Sequence, residues 1–280
     1  VYKFTKTEYK ERMAYIMAFL DKTNVSHIPQ SILLQNENRH RLSFIVSSAA
    51  IEGNTFTIDE TKKLLDRNIV SSNRSFDEHR QIVNYHNAYN EMLELSSKNA
   101  PLNIALICRL HGLVSAGEVK SAGSLREQSV YIGDSARVVH TPVSHEHVEI
   151  VLKNALDAYH KSAEDVLTRI ATFHLEFEHI HPFEDGNGRT GRLIMNYQLL
   201  QNGYFQIHIP SSKRSLYMAA FKDYNRTSKI DKMLDIISRE QEKTIAHIQE
   251  LWDAHLGKKA IDDALDKAIP PREKDDDISR

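Results

Sequence analysis

His181-Pro182-Phe183-Glu184-Asp185-Gly186-Asn187-Gly188-Arg189-Thr190-Gly191-Arg192 is the stretch that decides how this chain is read. Gly186 and Gly188 flank Asn187, and two residues without Cβ atoms allow a sharp turn and a close backbone approach to a ligand. From Arg189 to Gln201, the apolar residues Leu193, Ile194, Tyr197 and Leu200 recur at helical spacing, and Gly203 is a stop signal. The glycine turn therefore falls at a helix N-terminus, where free N–H groups and the positive end of the dipole attract an anion. Arg189 and Arg192 stand three apart on one side of that helix. Two guanidinium forks beside an anion site suit a polyphosphate better than a lone carboxylate. Asp185 would repel phosphates unless a cation lay between them, and one carboxylate plus substrate phosphates is a usual way to hold Mg2+. His181 stands close by as a general base. Any one of these residues alone reads as an ordinary polar helix start. The set in this order reads as a phosphoryl- or nucleotidyl-transfer site.

The run matches, at every defining position, the HPFx(D/E)GNGRxxR signature of Fic-domain protein adenylyltransferases. The chain resembles such an enzyme over residues 40–240. The resemblance implies transfer of AMP from ATP to a Ser, Thr or Tyr hydroxyl of a target protein, or of the enzyme itself, with release of pyrophosphate. His181 would take the hydroxyl proton, and Asn187 with nearby backbone N–H groups would stabilise charge on the α-phosphate. Asp185 would hold Mg2+, with Mn2+ as the alternative ion. Arg189 would hold the β-phosphate and Arg192 the γ-phosphate, while Gly186, Gly188, Thr190 and Gly191 border the nucleotide. Phe183 is expected to anchor the loop in the core. Tyr217 and Asn225 match family positions that line the adenosine pocket. Their competing readings are helix packing and a helix C-cap.

Two further segments carry the same resemblance. Gly123-Ser-Leu-Arg126 through Val130-Tyr131-Ile132-Gly133 reads as a turn, a short alternating strand and another turn. Val130 and Ile132 point one way and Tyr131 the other. Arg137 to His140 is the return strand, ended by Pro142. An isolated hairpin is barely stable, so it must lean on helices. The segment is similar to the family's flap motif, GxxRxxxVxIxG. By that likeness Val130, Tyr131, Ile132 and Gly133 border the nucleotide, and the flap holds a target backbone by strand addition. Upstream, Leu42, Ile45, Val46, Ala49 and Ala50 form an apolar helical face ending at Glu52, with Gly53 as the stop. A carboxylate at a helix C-terminus opposes the dipole, so a cationic partner is expected. Ser48-x-x-x-Glu52-Gly53 resembles the family's inhibitory motif, (S/T)xxxE(G/N). The resemblance implies that Glu52 pairs with Arg192 where the γ-phosphate of ATP would bind, the arrangement of members whose inhibitory helix precedes the core.

The remaining sequence bounds these readings. Across 280 residues, 36 basic side chains face 38 acidic ones, so no general charge argues for nucleic acid or an anionic membrane as partner. Cys108 is the sole cysteine, which excludes an internal disulfide. Val1 to Thr5 shows no secretory h-region, and a cytoplasmic location is expected. Capping boxes at Thr57-x-x-Glu60 and Ser75-x-x-Glu78 open helices, and Ser144 is expected to cap another. A helix from Ala163 to His179 leads into the signature. The fold class is all-α, a helical bundle with one small hairpin. Residues 1–37 are a helical extension after which residues 38–56 form the inhibitory helix. Residues 57–228 are the catalytic core with its flap at 123–142, residues 229–257 a C-terminal helix, and 258–280 a polar tail expected to be disordered. A zinc site at His174, His179 and His181 is disfavoured because the spacing departs from HExxH and no third ligand is marked. A non-catalytic helical interaction module would fit better had His181 or Asn187 been absent. Removal of AMP from modified protein, with Glu52 aligning a water, stays open within the family, as does a homo-oligomer through the N-terminal helix.

Overall fold

The computed structural model describes residues 4–23, 28–134 and 137–268. Its helices are α1 (Lys6–Thr23), α2 (Gln30–Ile51), α3 (Ile58–Arg67), α4 (Phe76–Ser97) and α5 (Ile104–Val114). After a hairpin of β1 (Ile132–Asp134) and β2 (Arg137–His140) come α6 (Val148–Lys161), α7 (Val166–Ile180) and α8 (Asn187–Gln201). Two last helices follow, α9 (Arg214–Thr227) and α10 (Asp231–Ala268). The signature helix α8 is the centre. Its residues from Arg189 to Leu199 are all buried, polar ones included, so it is a core helix walled in on every side. α7, α4 and α5 pack against it, α6 backs α7, and α2 lies along α4 with its C-terminal end reaching α8. α10 binds α1, α7 and α9 together. The architecture is all-α with one small hairpin, as the sequence predicts, and no helix among the described residues is long and apolar enough to cross a membrane.

Local sequence explains the starts of four helices, α3, α4, α5 and α7. Thr57 Oγ1 accepts the Glu60 N–H while the Glu60 carboxylate accepts the Thr57 N–H at 2.9 Å. Ser75 and Glu78 repeat the exchange, at 3.1 and 3.0 Å. Glu78 also accepts the Thr55 N–H, and Arg74 bridges to Glu60, so the two boxes tie the start of α3 to the start of α4. Ser75→Ala should therefore lower folding stability by about 1 kcal/mol, read as a shift in denaturant midpoint without a change in slope. Asn103 and Asp165 cap α5 and α7 through their side chains. The Asp165 bond sets the start of α7 at Val166 rather than Ala163.

Several expected boundaries shift. Ser144 precedes a single 3-10 turn, His145–His147, and makes no side-chain capping bond; α6 begins only at Val148. α2 starts at Gln30, behind Pro29, and is longer than the 38–56 segment. It ends where expected, with Glu52 as C-cap and Gly53 beyond it. α10 continues past residue 257 to Ala268, because the stretch from Lys258 is rich in Ala and Lys, strong helix formers, and holds no Gly or Pro. The rest of the expected tail, 269–280, lies outside the described residues, as do 24–27 of the link before α2. The hairpin is antiparallel, with Ile132 opposite His140 and an irregularity between Ile132 and Gly133. Val130 and Tyr131 precede the strand rather than belonging to it.

Candidate active site

The signature loop is held from inside. α7 ends at Ile180, and His181 caps it in the left-handed region, at φ 53°, with its N–H on the Phe177 carbonyl. Phe183 is fully buried and stacks flat on His111, ring centroids 3.7 Å apart. His111 Nδ1 accepts the Gly123 N–H at 3.0 Å, so its other nitrogen carries the proton and donates to the Asp185 carbonyl at 2.9 Å. Asn187 spends its amide on the same loop. Its Oδ1 accepts the Phe183 N–H at 2.9 Å and its Nδ2 donates to the Phe183 carbonyl at 3.0 Å. Asn187→Ala would leave both backbone groups unpaired in a buried loop. A loss of about 1–3 kcal/mol in stability is expected, measurable by thermal denaturation without nucleotide. Gly186 sits at φ 76°, and a Cβ there would collide with Ser115 Oγ.

Each arginine of the signature meets a carboxylate. Arg192 is buried and donates Nη2 to Glu52 Oε1 at 2.7 Å. Its Nε donates to Ser48 Oγ at 2.6 Å, and Nη2 also reaches the Ser48 carbonyl at 3.1 Å. Ser48 Oγ in turn donates to Tyr85 OH, which donates to the Arg189 carbonyl. The Glu52 side chain is 39% exposed, so one side of this ion pair faces solvent. A Cβ on Gly188 would collide with Glu52 Oε1, which places that carboxylate against the first turn of α8. The chain's own carboxylate thus lies at the N-terminal end of α8, where the free N–H groups and dipole of a helix favour an anion. Arg189 is different. Its Nη1 and Nη2 make a bidentate pair with Glu118 at 3.0 and 2.8 Å, and both side chains are buried. Its remaining Nε is without a partner among the described residues.

A cavity of about 360 Å3 opens over this cluster. Of the expected site residues, Glu52, Ile132, His181, Asp185, Gly186, Asn187, Gly188, Arg189, Arg192, Tyr217 and Asn225 line it. Its volume is in the range of small-molecule sites. Five of the residues expected to border the nucleotide stand elsewhere. Val130 and Tyr131 are outside the lining, Tyr131 being exposed, and Thr190 is buried within the bundle. Gly191 faces α7, where a Cβ would meet Glu178 Oε1 at 2.7 Å and Phe177 at 3.1 Å. Gly133 lies in β1 opposite Val138. Tyr217 is buried and bonded to His174 at 2.8 Å, so packing and pocket wall are one role for it. Asn225 is not a C-cap, because α9 runs on to Thr227 and ends at Ser228; it bonds His179 Nδ1 at 2.8 Å.

Burial dominates the electrostatics. It pushes His181 down to about 4, so its imidazole is neutral at neutral pH. It pushes Glu178, a wall residue one turn earlier, up to about 8, so this carboxyl is largely protonated at neutral pH. His174 is pushed down to about 3. Sequence reasoning missed Glu118 as the partner of Arg189, and missed Gln81, His140, Glu178, Met218, Phe221 and Lys222 in the cavity wall, while His179, weighed only as a zinc ligand, lines the cavity too. Among the described residues no group of three or more His, Cys, Asp or Glu is arranged to hold a metal. Asp185 is exposed, with Oδ1 accepting the Gly186 N–H at 2.6 Å.

Residues 101–199 match the model of the Fic/DOC family. The protein adenylyltransferase Fic of Drosophila virilis is 31% identical over 202 residues, 70% of this chain and 40% of that protein. Its counterpart in Drosophila melanogaster is 30% identical over the same length. The chain thus spans about 40% of the length of these curated relatives. The fold is that of a Fic-domain-containing signalling protein from Bacteroides thetaiotaomicron, with a TM-score of 0.75 at 22% identity, covering 86% of this chain and 95% of that one. Fic-1 from C. elegans gives a TM-score of 0.78 at 23% identity, covering 89% and 74%. Within this chain, residues 101–199 form a domain of the Fic/DOC family.

Proposed function

We propose that this chain transfers AMP from ATP to a Ser, Thr or Tyr hydroxyl of a protein and that Glu52 holds the activity in check. The observation that carries the reading is the Glu52 carboxylate lying on Arg192 at the first turn of α8, within the cavity that His181 lines. Such a place is built for an anion, and a phosphate chain would compete for it. In the transfer, the hydroxyl oxygen bonds to the α-phosphorus while the bond to the pyrophosphate oxygen breaks. The neutral His181 imidazole takes the hydroxyl proton. Backbone N–H groups at the start of α8 stabilise charge on the α-phosphate. The Asn187 side chain, already committed to Phe183, serves by fixing that turn. Arg192 holds the γ-phosphate once Glu52 leaves it, and Arg189, kept in place by Glu118, faces the β-phosphate. Asp185 is the residue that would hold Mg2+. With no group of three or more His, Cys, Asp or Glu gathered there among the described residues, it suits an ion bound chiefly by substrate phosphates, whose charge the ion would neutralise. The edge of β1 receives the target backbone by strand addition.

ATP labelled at the α-phosphate tests this. The label is expected on protein with Glu52→Gly and absent with Glu52→Gly/His181→Ala. A γ-phosphate label that transfers instead would replace this reading with phosphorylation.

A further inference from the structure

The proposed chemistry leaves Arg126, the arginine of the flap motif, without a role. It is buried, at 4% exposure, and among the described residues it pairs with no carboxylate. All three of its guanidinium nitrogens donate to backbone carbonyls. Nε donates to the His181 carbonyl at 2.8 Å, and Nη2 reaches the Ile180 carbonyl at 3.5 Å. Nη1 donates to the Gln128 carbonyl at 2.9 Å, and Nη2 to the Val143 carbonyl. Its own N–H donates to the Pro182 carbonyl at 2.9 Å. Gln128 and Val143 stand on the two sides of the hairpin, whereas Ile180, His181 and Pro182 form the end of α7 and the start of the signature loop. The cation lies at the negative end of α7, which replaces the missing carboxylate. A second tie runs from the return strand, where His140 Nε2 meets the His179 carbonyl at 2.8 Å. The carbonyl on Nε belongs to a residue in the left-handed region, which a non-glycine side chain enters only when its surroundings hold it there.

We infer that Arg126 is a positioning residue that joins the flap to the catalytic loop and holds His181 in its left-handed conformation. Docking of a target strand on the flap and placement of the base are then one mechanical unit. This rests on His181 acting as the base in the proposed transfer. Lysine keeps the charge but not the planar fork, and glutamine loses both.

Arg126→Lys and Arg126→Gln, each in the Glu52→Gly background, separate the roles. Both are expected to lower kcat for target modification about 10- to 100-fold, the cost of a misplaced reacting group, with KM for ATP unchanged. Both should speed hydrogen exchange at the Ile132 and His140 amides. The ring of His181, followed by NMR without nucleotide, faces Arg126, His140, Asp185 and the Glu178 backbone. Its titration should move upward in Arg126→Gln, where a neighbouring cation is lost, and stay near native in Arg126→Lys. Native kcat and native exchange in both variants would overturn the inference. So would a fall in kcat matched by an equal rise in KM for ATP, the mark of general loosening. If Glu52→Gly alone transfers no AMP, the proposed function fails, while ring titration and exchange still decide the role of Arg126.

Discussion

Glu52→Gly should raise AMP transfer about 5- to 150-fold, the span that a coupling of 1–3 kcal/mol between two competing occupants allows. The Glu52–Arg192 contact, at 2.7 Å, takes one nitrogen of a guanidinium that Ser48 holds through two further bonds. Removing the carboxylate leaves Arg192 in place, buried and without its closest negative charge, so a γ-phosphate meets a prepared cation. Backbone cost is small, since Glu52 stands at the helix C-cap with ordinary dihedrals. Apparent ATP affinity should tighten by the reciprocal of the fraction of molecules in which Arg192 is free. Calorimetric ATP titration and labelled transfer, run on native and variant protein side by side, check both quantities. Equal affinity and equal rate in the two proteins would remove Glu52 as an inhibitor.

His181→Ala, placed in the Glu52→Gly background, should lower transfer about 10²- to 10⁴-fold, the usual worth of a positioned base. ATP affinity should hold, because the phosphate contacts proposed above lie on α8. The pH response follows from the same side chain. Burial lowers its protonation to about pH 4, so the neutral, proton-accepting form is already complete near pH 6. Transfer by Glu52→Gly should therefore stay level between pH 8 and pH 6 as far as this group is concerned, and fall only as pH approaches 4. An acid limb centred near 6.5 would mean that the imidazole is more exposed to water, or nearer to negative charge, than its surroundings here imply.

The signature run told most about the site, and for a physical reason. It packs a helix end, a close backbone turn and two cations into one contiguous segment, so the residues that must meet are already neighbours. The capping boxes at Thr57 and Ser75 were legible on the same ground, each bond spanning three residues. Pairing across distance was legible only where a motif marked it, as with Ser48 and Glu52. Glu118 carries no such mark. It reaches Arg189 from 71 positions away, out of a turn after α5 that looks like any polar surface turn. Glu178 reads from sequence as one more charged helix residue. Only the packing of α7 against Gly191 turns it into a protonated wall of the cavity. Asn187 was assigned to the phosphate by resemblance. That its amide closes the loop on Phe183 depends on the path of the backbone between them, which spacing alone does not fix. α10 outran its expected end because the pattern of charges after residue 257 suggested a solvated tail, while the same residues favour a helix.

Tyr85 gives the contact between α2 and α8 a second consequence. Its hydroxyl stands between Ser48 and the Arg189 carbonyl, so α2, α4 and α8 share a single polar seam inside an apolar bundle. The brake proposed for Glu52 would therefore be wired into the frame as part of the same polypeptide, and its local concentration at Arg192 would not change when the protein is diluted. Restraint of this kind could not be washed away or outcompeted by a partner that merely sequesters the inhibitor. It would yield to a rise in nucleotide, or to a force that tilts the end of α2, and return as soon as either is withdrawn.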